Sequence, residues 1–106
     1  MIPIRRVTRP TVEVLQSLLD EPGTVWGLRI AKSVGRPPGS VYPILGRLED
    51  AGWIIGCWEQ ETTRGGPRRR LYRLTDDGRL HAREVVVTYL ARQRPSVLSP
   101  RILPAV

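Results

Sequence analysis

The stretch GSVYPILGRLEDAGWI, residues 39–54, predicts a helix with one apolar side and an unusual exposed side. At about 100° per residue, its aliphatic side chains fall within one arc of about 120°. The opposite side contains Tyr42, Pro43 and Arg47, and Gly52 is typical of the position just beyond a helix end. Because a proline inside a helix is costly, this combination is unusual on a surface that only contacts water.

Two more helices are predicted before this stretch. The first begins at Pro10, whose missing N–H costs nothing at a helix start, and ends at the DEPG turn, residues 20–23. The second is expected from Thr24 as the N-cap to Gly35 as the residue after the helix. Aliphatic residues recur at helical spacing in both segments, so each has an apolar face.

After Gly52 the apolar period changes from 3.6 to 2, which is typical of β-strands. Strands are predicted over residues 53–61 and 68–75, and the TTRGGP segment, residues 62–67, is the turn between them. Two faces are expected from strand alternation: Trp53, Ile55 and Cys57 on the first strand, and Tyr72 and Leu74 on the second. The segment is therefore a β-hairpin with an arginine-rich tip.

A last helix is predicted after the hairpin. Thr75 is a suitable N-cap, and Asp76 and Asp77 follow at the positive end of the helix dipole. The expected organisation is an N-terminal arm over 1–9, a helical domain with its hairpin over 10–75, a helix over 76–93 and an irregular, proline-containing tail over 94–106.

Three helices, a hairpin and a final helix are the layout of a winged helix-turn-helix domain, an α+β fold that is mainly α, with a two-stranded wing. In such domains the third helix enters the major groove of duplex DNA, which is about 12 Å wide. The wing then lies near the adjacent backbone, where arginines can contact phosphates. The candidate wing residues are Arg64, Arg68, Arg69 and Arg70.

The charge of the chain favours a nucleic-acid partner. Of its 106 residues, 17 are basic and 10 are acidic, which gives a net charge of +7. All the basic residues except Lys32 are arginine, whose planar guanidinium suits phosphates and guanine edges. The alternative is a basic surface that serves only solubility, with arginine enriched by a GC-rich genome.

Three stretches resemble one known family. GSVYPILGRLEDAGWI closely resembles the recognition-helix signature of PadR-type transcriptional regulators, with a small hydroxyl residue, an aliphatic residue, Tyr-Pro, Leu, Arg-Leu-Glu and Gly. RRRLYRLTDDGR, residues 68–79, resembles the family's second wing strand and its entry into the last helix, and WGLRIAK, residues 26–32, resembles its second helix. The resemblance covers roughly residues 10 to 90. The chain resembles the short subtype of the family.

The resemblance implies a homodimeric DNA-binding regulator, usually a repressor, and a palindromic duplex operator matches such a dimer. By the same resemblance the DNA-facing residues of the third helix are Ser40, Tyr42, Pro43 and Arg47. Each also has a structural interpretation: the Tyr42 ring can cover an apolar patch, Pro43 can shape the helix, and Arg47 can pair with Asp50. Glu49 and Asp50 would face phosphates, so only the first half of the helix is expected to enter the groove.

The segment VVVTYLA, residues 85–91, is apolar on more than one side of the last helix. One apolar face would suffice for packing on the first helix, so the second favours a partner, most simply another copy of the chain. The expected dimer-interface residues are Val85, Val86, Tyr89 and Leu90. Packing within the same chain is the alternative.

Members of the resembled family often respond to small aromatic or amphiphilic effectors at the dimer interface. Trp26, Trp53 and Trp58 are the candidates to line such a pocket, and packing in the core is the alternative.

An enzyme is not expected. His81 is the only histidine and Cys57 the only thiol, and neither has the partners of a catalytic or metal site, so no cofactor and no metal are predicted. No apolar run approaches the roughly 20 residues that span a bilayer, and no signal peptide is recognisable, so a cytoplasmic protein without a membrane partner is expected. An RNA-binding winged helix and one that contacts only proteins remain open as alternatives.

Overall fold

The computed structural model describes residues 7–60 and 65–93. These ranges contain α1 (Arg9–Leu19), β1 (Val25–Trp26), α2 (Gly27–Val34), α3 (Pro38–Asp50), β2 (Ile54–Trp58), β3 (Arg70–Leu74) and α4 (Asp76–Gln93). The element order confirms the predicted winged-helix class, mainly α with a small antiparallel sheet. Most of the expected N-terminal arm, Arg64 and the expected tail over 94–106 lie outside the described residues.

Helix α1 begins one residue earlier than predicted, at Arg9. Thr8 is its N-cap, because the Thr8 Oγ1 accepts a hydrogen bond from the Thr11 backbone N–H at 3.4 Å. Further along α1, Glu13 Oε1 accepts a hydrogen bond of 2.7 Å from Nε of Arg36, which lies between α2 and α3. This hydrogen bond lowers the pKa of the Glu13 carboxyl. The contact between Glu13 and Arg36 also connects α1 to the segment that precedes α3.

The predicted start of the second helix is wrong. Val25 and Trp26 form the strand β1, which pairs antiparallel with β3 in the register Val25 with Tyr72 and Trp26 with Leu71. Helix α2 therefore begins only at Gly27, with no side-chain cap at Trp26. The physical reason is that a β-branched and an aromatic residue gain backbone hydrogen bonds from a distant strand, which outweigh local helical periodicity.

The wing belongs to a three-stranded sheet with the order β1-β3-β2, and not to the predicted two-stranded hairpin alone. Ile54 pairs with Leu74 and Gly56 pairs with Tyr72, so these residues share the inner face. Tyr72 and Leu74 share one face of their strand, as predicted, and they are buried there together with Ile54. The outer face contains Ile55 and Cys57, both of which are exposed.

Trp53 does not share the face of Ile55 and Cys57, which corrects the predicted strand pattern. It precedes β2, and its side chain is only 2 % exposed in the core. Gly52 has the left-handed φ of 84°, and the Trp53 N–H donates to the Leu48 carbonyl at 2.9 Å. Because this helix-ending turn sets the direction of Trp53, strand alternation does not apply to it.

The core lies between the three N-terminal helices, the inner face of the sheet and one side of α4. Helix α3 contributes the arc that the sequence predicts, and its four buried residues are Val41, Ile44, Leu45 and Leu48. Helix α4 contributes Ala82 and Val86. Pro37 is the N-cap of α3 and Pro38 its first residue. The buried arc of α3 faces inward, and the opposite side of the helix faces outward.

Gly78 permits the close approach of α4 to the turn before β2. Thr75 caps α4, since the Gly78 N–H donates to Thr75 Oγ1 at 2.9 Å. A Cβ on Gly78 would collide with the Trp53 backbone carbonyl and approach Thr75 Oγ1 to 2.8 Å. Backbone atoms cannot move aside as a flexible side chain can, so only glycine fits.

We therefore expect Gly78→Ala to lower the free energy of unfolding by about 1–3 kcal/mol, because of overpacking against the carbonyl. Gly46→Ala is the matched control, because Gly46 is also helical and a Cβ there meets no atom within 4 Å. That variant should gain up to about 1 kcal/mol from helix propensity. Urea unfolding followed by circular dichroism measures both, and equal stabilities would contradict the packing argument.

Candidate nucleic-acid interface

Of the four residues of α3 that are expected to face DNA, three are exposed on the outward side of the helix. Ser40, Pro43 and Arg47 are all exposed, and their spacing places them along one stripe of the helix. The Ser40 backbone N–H is bound to the Pro37 carbonyl at 2.9 Å, so the hydroxyl is presented from an ordered first turn. Among the described residues no ion pair engages Arg47, so the expected alternative of an Arg47–Asp50 pair is absent.

Tyr42, the fourth of these residues, is half-buried and packs between α2 and the sheet. A Cβ on Gly27 would lie 2.6 Å from the Tyr42 hydroxyl oxygen, so the glycine makes room for the ring. The Tyr42 and Tyr72 ring centroids are 6.4 Å apart and the rings are tilted. Burial raises the pKa of Tyr42, so its hydroxyl stays protonated at neutral pH and can donate a hydrogen bond. Its ring covers an apolar patch, and its hydroxyl lies beside the start of α2.

The wing arginines do not form one exposed cluster. Arg70 Nη2 donates to Glu49 Oε2 at 2.9 Å, which links the wing to the last turns of α3. Arg69 lies over Trp26, with 3.8 Å between its guanidinium carbon and the ring centroid. Arg68 is exposed, and Arg64 lies outside the described residues. Arg70 is the first residue of β3 and Arg69 precedes the strand, and their guanidinium groups contact Glu49 and Trp26 respectively.

Several other arginines are paired with carboxylates. Arg36 binds Glu13, Arg9 lies 3.6 Å from Glu13, and Arg29 lies 3.7 Å from Glu21. These contacts remove positive charge from the surface of α1 and α2. Within residues 7–60 and 65–93, no carboxylate pairs with Arg47 or Arg68, so their charge is available to a phosphate.

Two of the three tryptophans line a cavity of about 620 Å³ at the base of the wing. Its walls consist of Trp26, Leu28, Tyr42, Trp58, Pro67, Arg68, Arg69, Arg70 and Tyr72. Trp53 is not among them, because it packs in the core with its ring 5.7 Å from that of His81. The structure therefore brings Trp26 and Trp58 to one site and places Trp53 elsewhere.

The residues expected at a dimer interface divide between the core and the surface of α4. Val86 is only 7 % exposed and belongs to the core of its own chain, while Val85 and Tyr89 are half-buried against it. Leu90 is exposed, and so are Leu80 and Val87, which the sequence interpretation did not include. A second cavity, of about 420 Å³, lies beside Val85 and Tyr89.

The sequence interpretation missed the Glu49–Arg70 link and the stacking of Arg69 on Trp26. Both depend on the pairing of β1 with β3 and on the packing of β3 against α3, for which no local pattern exists. The strand alternation around Tyr72 is the one signal that assigns Arg70 to the inner face, beside α3.

No group of three or more histidine, cysteine or acidic residues among the described residues could hold a metal ion. No helix in the described part of the chain is long and apolar enough to cross a membrane.

The exposed stripe of α3, the wing beside it and the final helix define a winged-helix protein of the transcription-regulator type. The family model for the PadR-like transcriptional regulators matches residues 14–84. The chain belongs to this family, which confirms the resemblance in its sequence. No curated protein matches the sequence.

Solved structures with the same fold include several transcription regulators. The PcaV transcriptional regulator from Streptomyces coelicolor, solved in complex with its natural ligand, has 28 % sequence identity and a TM-score of 0.69; the match covers 91 % of this chain and 64 % of that chain. The chain thus spans less than two thirds of the length of PcaV.

A PadR-like regulator (BC4206) from Bacillus cereus strain ATCC 14579 has 22 % identity and a TM-score of 0.64, over 91 % of this chain and 92 % of that chain. BpsR from Bordetella bronchiseptica, whose DNA binding is regulated by 6-hydroxynicotinic acid, has 22 % identity and a TM-score of 0.66. The match covers 93 % of this chain and 66 % of that chain. At 22 % identity, these two structures support the fold of the chain and nothing further. The family and these neighbours are transcription regulators, not enzymes.

The link between Glu49 and Arg70 can be measured by a double-mutant cycle. We expect Glu49→Gln and Arg70→Gln to show a coupling energy of about 1 kcal/mol in urea unfolding, because the hydrogen bond is charge-assisted and partly shielded from water. Asp50→Asn combined with Arg70→Gln is the control, since Asp50 is exposed and adjacent in sequence, and its effect should be additive. A coupling of zero for Glu49 would contradict a structural link between wing and α3.

Proposed function

We propose that the protein is a homodimeric repressor that binds a palindromic duplex operator, with α3 in the major groove and the wing on the adjacent phosphates. The observation that supports this most directly is the exposed stripe of Ser40, Pro43 and Arg47 on a helix whose other side is fully packed. Membership of the PadR-like family supports the same conclusion. Binding to chromosomal DNA also implies a cytoplasmic location.

The first half of α3 makes the base contacts in this proposal. Ser40 lies in the first turn, where recognition helices meet base edges, and its hydroxyl can donate or accept. The protonated hydroxyl of Tyr42 donates a hydrogen bond to a phosphate or to a base edge, and Pro43 shapes the surface of the helix. Arg47 follows one turn after Pro43, is exposed and contacts a phosphate in this proposal. Glu49 and Asp50 repel phosphates, so the end of α3 does not enter the groove.

The wing supplies the phosphate contacts through Arg64, Arg68, Arg69 and Arg70, of which Arg68 is the most directly available. Arg68 is exposed and has no carboxylate partner among the described residues, whereas Arg70 is bound to Glu49. Because Arg70 Nη2 already donates to Glu49, the charge of Arg70 is partly neutralised and attracts a phosphate less strongly. The wing contact is therefore expected to depend first on Arg68.

The wing contact predicts a change in the salt dependence of DNA binding. Arg68→Gln should weaken binding and reduce the slope of log K against log salt by about 0.9 per protomer, because one counterion-releasing phosphate contact is lost. Arg92→Gln is the matched control: it removes the same charge from an exposed position on α4, on a different side from Leu80, Val87 and Leu90, and should leave the slope unchanged.

The duplex for this measurement is first selected from a random pool, and fluorescence anisotropy then gives affinity against salt. A palindrome with half-sites about one helical turn apart is the expected selected sequence. Single-stranded RNA and heparin form the comparison arms. Equal affinity for RNA would favour an RNA-binding winged helix and contradict the proposal, and no binding to any nucleic acid would favour a protein-contact module.

The outer side of α4 forms the dimer interface in this proposal. Leu80, Val87 and Leu90 are exposed by 59 %, 66 % and 48 %, and their spacing places them on one side of the helix. Leu80 and Val87 point away from the buried Ala82 and Val86, and Leu90 lies one turn after Val86. Half-buried Val85 and Tyr89 lie on the core side of the helix, not on this stripe. A stripe of this kind on a surface helix is self-complementary across a two-fold axis.

Val87→Glu is therefore expected to raise the dimer dissociation constant about 100-fold, because two carboxylates would meet near the two-fold axis. Ile55→Glu is the control, since Ile55 is an exposed aliphatic residue on the outer face of the sheet. Sedimentation velocity measures the oligomeric state, and circular dichroism confirms that both variants fold. A monomeric wild-type protein, or a dimer that Val87→Glu leaves unchanged, would contradict this interface.

We also propose that a small aromatic or amphiphilic effector modulates DNA binding. The support is indirect: BpsR is regulated by 6-hydroxynicotinic acid and PcaV was solved with its natural ligand. In this chain Trp26 and Trp58 line one cavity, which is a suitable place for an aromatic molecule.

A further inference from the structure

Arg79, near the start of α4, connects this helix to the end of α1. Its Nη1 donates to the Leu19 carbonyl and its Nη2 to the Glu21 carbonyl, each at 3.3 Å. The side chain is half-buried, and no ion pair engages it among residues 7–60 and 65–93. The guanidinium therefore binds backbone oxygens of another element and not a carboxylate.

The end of α1 has no donor of its own for these oxygens. The last carbonyls of a helix have no partner within the helix, and a cation stabilises the negative end of the helix dipole. Helix α1 has no basic residue in its last turn, and the acidic residues Asp20 and Glu21 follow it directly. Arg79 supplies from α4 the donors and the positive charge that α1 lacks.

The turn that Arg79 binds leads to the elements of the proposed DNA-binding surface. Residues 20–24 connect α1 with β1, and the pairing of β1 with β3 attaches the wing. The Glu21 carboxylate also lies 3.7 Å from the guanidinium of Arg29 on α2. The contacts of Arg79 therefore join α4 to the segment from which both α2 and the wing are positioned.

Two further contacts hold the start of α4 on another side. Gly78 lies against the Trp53 backbone carbonyl, where a Cβ would collide, and the ring of His81 lies 5.7 Å from the ring of Trp53. These contacts attach α4 to the turn before β2, whereas Arg79 attaches it to α1. Together they define the direction of the helix and not only the position of its first turn.

The direction of α4 has a large effect on the geometry of a dimer. The helix has 18 residues and is therefore about 27 Å long. A rotation of about 7° around its start moves its far end by about 3.3 Å, which is close to the rise of about 3.4 Å per base pair. Because the proposed dimer is held through the outer side of α4, such a rotation changes the distance between the two α3 helices by a similar amount.

We infer that Arg79 is a positioning residue that sets the half-site spacing which the dimer accepts. Its planar guanidinium donates to two carbonyls at once, which fixes its direction, whereas a single hydrogen bond would allow rotation. Arg79 contacts no DNA in this inference and acts only through the angle of α4. The inference rests on the proposed homodimer on a palindromic operator, and it names the contact that determines the operator geometry.

The test measures affinity against the spacing of the half-sites. The operator is selected from a random pool with the wild-type protein, and fluorescence anisotropy then compares duplexes whose half-sites are one base pair closer or further apart. The wild type should lose about tenfold in affinity at one base pair from the optimum, because the DNA must be deformed to fit. In Arg79→Gln this loss should fall to about threefold or less, with the affinity for a single half-site within about twofold of the wild type.

Arg79→Lys separates the charge of the side chain from its geometry. The ammonium keeps a positive charge at the end of α1, but it donates from one point and not from a planar fork. This variant should recover most of the melting temperature that Arg79→Gln loses and should keep the relaxed spacing. Arg92→Gln is the control, because it removes one charge from an exposed position on α4, and it should keep the wild-type spacing preference. Circular dichroism gives the melting temperatures and confirms folding.

Three results would overturn the inference: the wild-type spacing preference in Arg79→Gln, full recovery of that preference in Arg79→Lys, or an equal relaxation in Arg92→Gln. An equal loss of affinity for the half-site and for every spacing would also overturn it, because Arg79 would then serve folding stability alone. If Arg79→Gln does not fold, the spacing profile of Arg79→Lys decides.

The wild-type measurement separates this inference from the proposed function. If the wild type prefers one spacing and the Arg79 variants share that preference, the inference fails and the proposed function stands. If the wild type binds no selected duplex, or accepts every spacing equally, the proposed dimer on a palindrome fails and the inference fails with it.

Discussion

The pairing of β1 with β3 determines how the wing lies against the helices. Only Val25 and Trp26 form β1, yet they attach the start of α2 to the strand that carries the wing arginines. Through this pairing the Arg69 guanidinium lies on Trp26, and Tyr72 comes within reach of Tyr42 on α3. A two-stranded hairpin alone has marginal stability in water, so the third strand and the packing against α3 give the wing a defined position.

The elements that the sequence predicts well are those whose signals are local. Helix α3 begins at Pro38, has its apolar arc every three to four residues and is followed by the left-handed Gly52, so its bounds and its inner side could be read directly. Strand β1 could not be predicted, because its two residues acquire their structure from a partner far along the chain. Trp53 was misassigned for a related reason, since a helix-ending turn sets its direction.

Charge is a second case in which the sequence shows the amount but not the arrangement. The net charge of +7 includes arginines that the fold pairs with carboxylates, among them Arg36 with Glu13 and Arg70 with Glu49. Exposed pairs of this kind contribute only about 0–1 kcal/mol to stability. Their larger effect is to neutralise positive charge where they lie, which among the described residues leaves Arg47 and Arg68 as unpaired arginines beside the proposed groove.

The Glu49–Arg70 pair gives the proposed regulation a short physical route. Arg70 can bind the carboxylate of Glu49 or a DNA phosphate, and these two anions compete for one guanidinium. An effector in the cavity that Trp26 and Trp58 line would need no conformational path across the molecule, because the same arginines line this cavity and make the proposed DNA contacts. The coupling between sites then has an upper limit set by the arginines they share, and it falls as salt screens those contacts. An effector at the dimer interface, by contrast, would have to displace α3 and the wing as rigid bodies.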